Sequence, residues 1–118
     1  MYKFIFFIAL VLLSCKTTSY YIVRHAEKET STTNGTMTSD VPLSNAGKQR
    51  AEALKELLQK ENIKHVFSTN YIRTKSTAQP LVDAIHIPIQ IYDPKVPQFI
   101  SQLKAVARRA RSIGAVAS

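Results

Sequence analysis

Tyr20-Tyr21-Ile22-Val23-Arg24-His25-Ala26 is the stretch that decides the fold. The aromatic and β-branched run reads as a short strand over 20–24. It delivers a guanidinium and an imidazole to one edge of a sheet. In an open α/β sheet, ligands bind outside the carboxyl ends of the strands, so Arg24 and His25 stand where a ligand is met. An unperturbed imidazole has a pKa of about 6.5 and is largely neutral at pH 7, which makes it a nucleophile. A guanidinium offers phosphate oxygens a planar fork of donors. The pair therefore suits a phosphoryl group.

Working outward, the polar segment Lys28–Asp40 is rich in Thr and Ser and contains Asn34-Gly35. Its turn chemistry predicts a loop, and its length suits either a mobile flap beside the site or a disordered surface excursion. Ser44 is a good N-cap for a helix over 45–61, with Ala51, Leu54, Leu57 and Leu58 as its apolar face. Glu52, Glu56, Lys55 and Lys60 lie at spacings that give ordinary surface pairing. A strand over 63–68 and a helix over 71–85 follow, with Pro80 expected to end or kink the helix locally. A third strand over 87–92 is placed near an edge by Pro88. A last helix spans 97–107. This order predicts a parallel or mixed sheet with right-handed crossovers and helices on both faces. Another buried strand is expected after the last helix, and the sequence shows none. No internal repeat is visible.

Three segments in this order resemble the histidine phosphatase superfamily, which includes the phosphoglycerate mutases. They are YYIVRHAEK at 20–28, Leu43-Ser44-Asn45-Ala46-Gly47, and the stretch from Ser68 to Ala78 that carries Arg73-Thr74-Lys75-Ser76-Thr77-Ala78. The resemblance covers 19–103. It implies an α/β three-layer sandwich with a mostly parallel sheet, phosphoglycerate mutase-like and truncated at its C-terminus. It also implies that His25 attacks phosphorus and becomes transiently phosphorylated, splitting one hard displacement into two easier ones. Arg24 and Arg73 would hold the non-bridging oxygens, Arg73 from the first turn of a helix where free N–H groups also favour anions. No metal or other cofactor is implied. The absence of a substantial insertion favours a phosphatase over a mutase that must enclose a bisphosphate.

Other residues take lesser parts. Glu27 is a candidate substrate contact, against the plainer reading of a solvated loop charge. Asp93 is the candidate general acid. Thr77 and Ala78 are expected to pack helix against sheet. His65 and His86 lack metal-ligand spacing and are expected to cap or flank strands. The family's second histidine follows a later strand in a Gly-His context. This sequence has none after His86, which implies impaired turnover and marginal folding. The alternative reading is a non-catalytic phosphate-binding or interaction lipoprotein.

The two ends carry separate signals. Lys3 followed by the apolar run Phe4–Leu13 is too short to span a bilayer and suits a signal-peptide core. Ser14-Cys15 resembles a bacterial lipoprotein cleavage site, with Cys15 lipidated. The organisation read from the sequence is a lipoprotein signal over 1–14, a lipidated tether over 15–19, a partial domain over 20–103 and a basic tail over 104–118. Cys15 is the only cysteine, so no internal disulfide forms. The implied location is the bacterial cell envelope, lipid-anchored and periplasm-facing. Lys104, Arg108, Arg109 and Arg111 make the tail basic, and its shift to Ala and Arg suggests a frameshift or a truncated gene model near 104. The competing reading is a true basic tail that touches anionic lipid. Residues 16–103 hold 11 Lys and Arg against 8 Asp and Glu. That modest excess suits a small phosphorylated substrate and lacks the footprint of a nucleic-acid binder.

Overall fold

The computed structural model of the chain describes residues 18–29, 40–109 and 113–115. Strands β1 (Tyr20–Ile22), β2 (Val66–Ser68), β3 (Ile89–Ile91) and β4 (Ile113–Ala115) alternate with helices α1 (Asn45–Leu58), α2 (Ile72–Ile85) and α3 (Gln98–Arg109). The pairings are parallel: β1 with β4, Tyr20 opposite Ile113, and β2 with β3, Val66 opposite Ile89. β4 also runs close to β2. The protein is an α/β fold with parallel strands.

Alternation along β2 builds the layers, because successive side chains of a strand face opposite sides. Val66 points to one face, where Leu58, Ile63, Ala78, Leu81 and Val82 form the main core with Tyr21, Leu54 and Ile89 against it. Phe67 points to the other face and meets Tyr92, Phe99, Leu103 and Val106. Helices α1 and α2 therefore cover one side of the sheet and α3 the other. Burying a side chain of the size of Leu81 or Val82 contributes about 1.5–3 kcal/mol.

The helices begin as their caps dictate. Ser44 precedes α1 with extended backbone, and its Oγ accepts the Gly47 N–H at 3.1 Å. Ala51 and Leu58 are buried as the apolar face requires, but Leu57 is exposed. At about 100° per residue it falls to the flank of that face. Lys55 pairs with Glu52 and Glu56 on the surface.

Two expectations are corrected. Pro80 lies inside α2, which runs unbroken from Ile72 to Ile85. The ring removes one N–H, while the packing of Ala78, Leu81 and Val82 against β2 holds the turns on either side. A strand does follow the last helix: β4, on Ile113-Gly114-Ala115, pairs with β1. Its Gly and Ala are poor strand formers, so the pairing is set by tertiary context rather than by the residues' own preference. The compositional shift at 104 falls inside α3, and Leu103 and Val106 on either side of it pack into one cluster with Phe67. A break in composition is thus not a break in packing.

The strands are shorter than the apolar runs suggest. β1 ends at Ile22, so Val23, Arg24 and His25 lie in the loop beyond it. Among the described residues no helix is long and apolar enough to cross a membrane. The apolar run 4–13, Cys15 and most of the 28–40 segment lie outside the described residues.

Candidate functional site

His25 stands three residues past the end of β1 and is half-buried. Its Nδ1 lies 2.8 Å from the Ala26 carbonyl oxygen. A carbonyl can only accept, so Nδ1 carries the proton and donates it. The neutral ring then presents its lone pair on Nε2. One local hydrogen bond thus fixes both the orientation of the ring and the nitrogen that can attack.

The loop carrying His25 is held from two sides. On one side, the buried Ala26 N–H donates to Thr77 Oγ1 at 3.0 Å, and Thr77 Oγ1 donates to the Arg73 carbonyl at 2.7 Å. A single buried hydroxyl, 51 positions along the sequence from Ala26, thus joins the backbone next to His25 to the backbone of Arg73. On the other side, Ser44 donates to the Glu27 carbonyl from its N–H at 2.9 Å and from Oγ at 3.2 Å. The Glu29 N–H donates to the Pro42 carbonyl at 2.9 Å, and Lys28 bridges Leu43. The chain leaving His25 is therefore laced to the start of α1, and Ala26, Leu43 and Ala51 bury one another beneath it.

Gly47 makes that lacing possible. An added Cβ would lie 2.2 Å from the Glu27 carbonyl oxygen, with the carbonyl carbon and nitrogen of the same residue at 3.1 and 3.2 Å. The segment from Leu43 to Gly47 is thus a cap, a buried anchor and a close backbone approach in five residues.

Arg73 sits in the first turn of α2, half-buried, with its guanidinium 4.5 Å from the centroid of the Tyr71 ring. Thr74 is buried and its hydroxyl lies 2.9 Å from the carbonyls of both Thr69 and Tyr71. It fixes the turn from β2 into α2 and so the place from which Arg73 projects. Thr77 and Ala78 are buried between helix and sheet, as expected. That Thr77 also ties the His25 loop was not visible in the sequence.

The remaining candidates are placed as follows. Arg24 is exposed, beside His25 in the chain. Glu27 is exposed and ion-paired with Arg50 on α1, Oε1 to Nε at 3.0 Å. Its carboxylate is therefore engaged on the surface, in a pair worth at most about 1 kcal/mol. Asp93 follows β3, and its Oδ1 accepts the Lys95 N–H at 2.9 Å within its own turn. It also lines an open cleft of about 510 Å³ with Thr69, Asn70, Tyr71, Tyr92 and Lys95. That cleft lies outside the carboxyl ends of β2 and β3. Burial raises the Tyr92 phenol above its usual range there. His65 and His86 precede β2 and β3, at the opposite edge of the sheet, and His65 Nδ1 meets Gln90 Nε2 at 2.9 Å. Among the described residues no group of three His, Cys, Asp or Glu is placed to hold a metal ion.

Replacing Thr77 with valine keeps the shape and deletes both hydrogen bonds. The Ala26 N–H is then buried without a partner, at a cost of about 1–3 kcal/mol. Urea denaturation should show that loss, and Thr77→Ser should recover most of it. A Thr77→Val chain as stable as the parent would dissolve the proposed tie.

Comparison with known proteins gives the family and the fold. Residues 20–94 match the Histidine phosphatase superfamily (branch 1). A candidate phosphohistidine phosphatase, SixA from Agrobacterium tumefaciens, is similar in structure, with a TM-score of 0.65 at 23% identity over 83% of this chain and 67% of that one. The protein histidine phosphatase SixA complexed with tungstate gives 0.66 at 18% identity, covering 83% and 67%. A mycobacterial glucosyl-3-phosphoglycerate phosphatase complexed with VO3 gives 0.64 at 15% identity, covering 81% and 72%. Comparison with curated proteins gives no match by sequence. With its Arg24-His25 pair, its laced loop and its Arg73 turn inside the matched span, the chain belongs to the histidine phosphatase superfamily.

Proposed function

We propose that the chain transfers a phosphoryl group from a phosphomonoester to His25. The observation that carries this reading is the 2.8 Å contact of His25 Nδ1 with the Ala26 carbonyl, which leaves Nε2 as the reactive nitrogen. The Nε2 lone pair attacks phosphorus while the bond from phosphorus to the leaving oxygen breaks. Arg24 and Arg73 balance the charge on the non-bridging oxygens, a preorganised electrostatic stabilisation. Water then attacks the phosphohistidine, inorganic phosphate leaves, and the imidazole is regenerated.

The leaving oxygen needs a proton. Asp93 is assigned as its source, because it borders the open cleft together with Tyr71, on whose ring Arg73 rests. The leaving alcohol lies in that cleft. Support for an oxyanion ligand comes from the relatives solved with tungstate and with VO3, which imitate a phosphoryl group. The substrate is a small phosphorylated molecule, and the reaction is hydrolysis rather than transfer to a second site.

His65 and His86 stand at the far edge of the sheet, so neither shares the phosphate with His25, and the proposed turnover is slow. The chain is anchored through lipidated Cys15 and faces the periplasm. This rests on the apolar run that ends just before the cysteine.

Mixing the full chain with an aryl phosphate tests the reading. The expected result is a burst of released phenol no larger than the protein concentration, followed by slow turnover, both lost in His25→Ala. A binding protein without chemistry would give no burst. Release unaffected by His25→Ala would refute the assignment.

A further inference from the structure

Helix α2 has no cap of its own. Its N-cap is Tyr71, whose side chain makes no capping hydrogen bond. The first helical N–H, that of Ile72, instead donates to Oδ1 of Asp40 at 2.6 Å. Asp40 lies 32 positions earlier, at the start of the segment that runs through Leu43 and Ser44 into α1. A carboxylate on a helix N-terminus gains from both the charge-assisted hydrogen bond and the helix dipole. The next residue after the capped N–H is Arg73. The sequence assigned that helix end to substrate anions, and the structure gives its first donor to an internal anion.

We infer that Asp40 is a positioning residue for Arg73. By holding the Ile72 N–H, it fixes the first turn of α2 and so the origin of the guanidinium that grips phosphate. The inference rests on the role proposed for Arg73. Two ties then set the two sides of the phosphate site. Thr77 holds Ala26, next to His25, to the body of α2, and Asp40 holds the start of α2 to the segment that laces the same loop from Pro42 to Ser44. The phosphate grip is thereby keyed to the nucleophile through two side chains, Thr77 and Asp40, that each accept a backbone N–H.

Tungstate is the probe, titrated into the full chain in mild detergent. Asp40→Ala removes the acceptor and should weaken tungstate binding about five- to tenfold, the size of a lost helix cap. Asp40→Asn keeps an oxygen acceptor and should bind within about twofold of the parent, since the geometry rather than the charge carries the effect. On an Arg73→Ala background, Asp40→Ala should weaken binding no further, because non-additivity marks two residues that act as one. A purely structural role would leave the two effects additive.

Ile72→Pro supplies a variant that keeps the fold. Proline is favoured at the first helical position, and Tyr71 at φ −103° and ψ 148° already has the backbone that precedes proline. It deletes the donor without touching Asp40 and should weaken tungstate as Asp40→Ala does. Parent-like binding by Ile72→Pro, or an Asp40→Asn chain as weak as Asp40→Ala, overturns the inference. If Arg73→Ala itself leaves tungstate binding intact, the role of Arg73 fails instead, and the two failures are told apart.

Discussion

Gly47→Ala is expected to destabilise the chain by about 1–3 kcal/mol, the cost of forcing extra volume into a packed site. Helix propensity argues the other way, since alanine in a helix interior is favoured over glycine by about 1 kcal/mol. The steric term decides. The new Cβ would meet the Glu27 carbonyl at 2.2 Å, far inside contact distance. That atom is backbone, held by Ser44 from two donors, and cannot swing aside as a side chain would. Relief therefore has to come from moving the loop that carries His25 or from tilting α1. Either displacement disturbs the nucleophile, and a misplacement of about 1 Å can reduce a rate on the order of 100-fold. Urea denaturation and the rate of phosphoryl transfer to His25 should fall together. A more stable Gly47→Ala chain would mean that the close approach is not present in solution.

Arg73→Ala separates function from stability. Its contact with Tyr71 is a cation–π pair worth about 0.5–1 kcal/mol, so the loss of stability should be small beside the loss of rate. Removing a donor aimed at a developing negative charge costs about 100- to 1,000-fold in rate. The phosphoryl-transfer rate should therefore collapse while the denaturation midpoint barely moves. Arg73→Lys should recover only part of the rate, because an ammonium lacks the planar fork. Equal losses in stability and rate would make Arg73 a structural residue instead.

Much of this architecture is written locally. Ser44 caps α1 because a hydroxyl at that position has an N–H to receive, and the apolar spacing of Ala51, Leu54 and Leu58 follows the helical period. Arg73 in the first turn of a helix is readable from the same patterns, whereas Arg24 and His25, expected at a strand end, lie in the loop beyond Ile22. What escaped the sequence depends on contacts between distant segments. Nothing in Thr77 itself announces a hydrogen bond to Ala26. Nothing in Asp40 announces the α2 N-terminus, since no local pattern links positions so far apart. Gly47 reads as an ordinary small residue until the Glu27 backbone is seen against it. β4 was missed because Gly114 and Ala115 carry little strand preference, and its place is set by β1 beside it.

The resemblance in three segments takes on a physical meaning once the contacts are drawn. Arg73-Thr74 joins the residue proposed to grip phosphate to the hydroxyl that fixes its turn, and Thr77-Ala78 combines a tie to the His25 loop with a seat in the core. Leu43, Ser44 and Gly47 do the corresponding work from α1. These residues hold His25 at a fixed place relative to Arg73, which is what phosphoryl transfer by positioning requires.

The most direct test is intact-mass and peptide mass spectrometry of the full chain after brief exposure to a labile acyl phosphate, read at neutral pH before acid can cleave the adduct. One acid-labile phosphoryl group is expected, located on His25 and absent from His25→Ala. A chain that binds phosphate yet never carries a phosphoryl group on His25, or carries it on His65 or His86 instead, would contradict it.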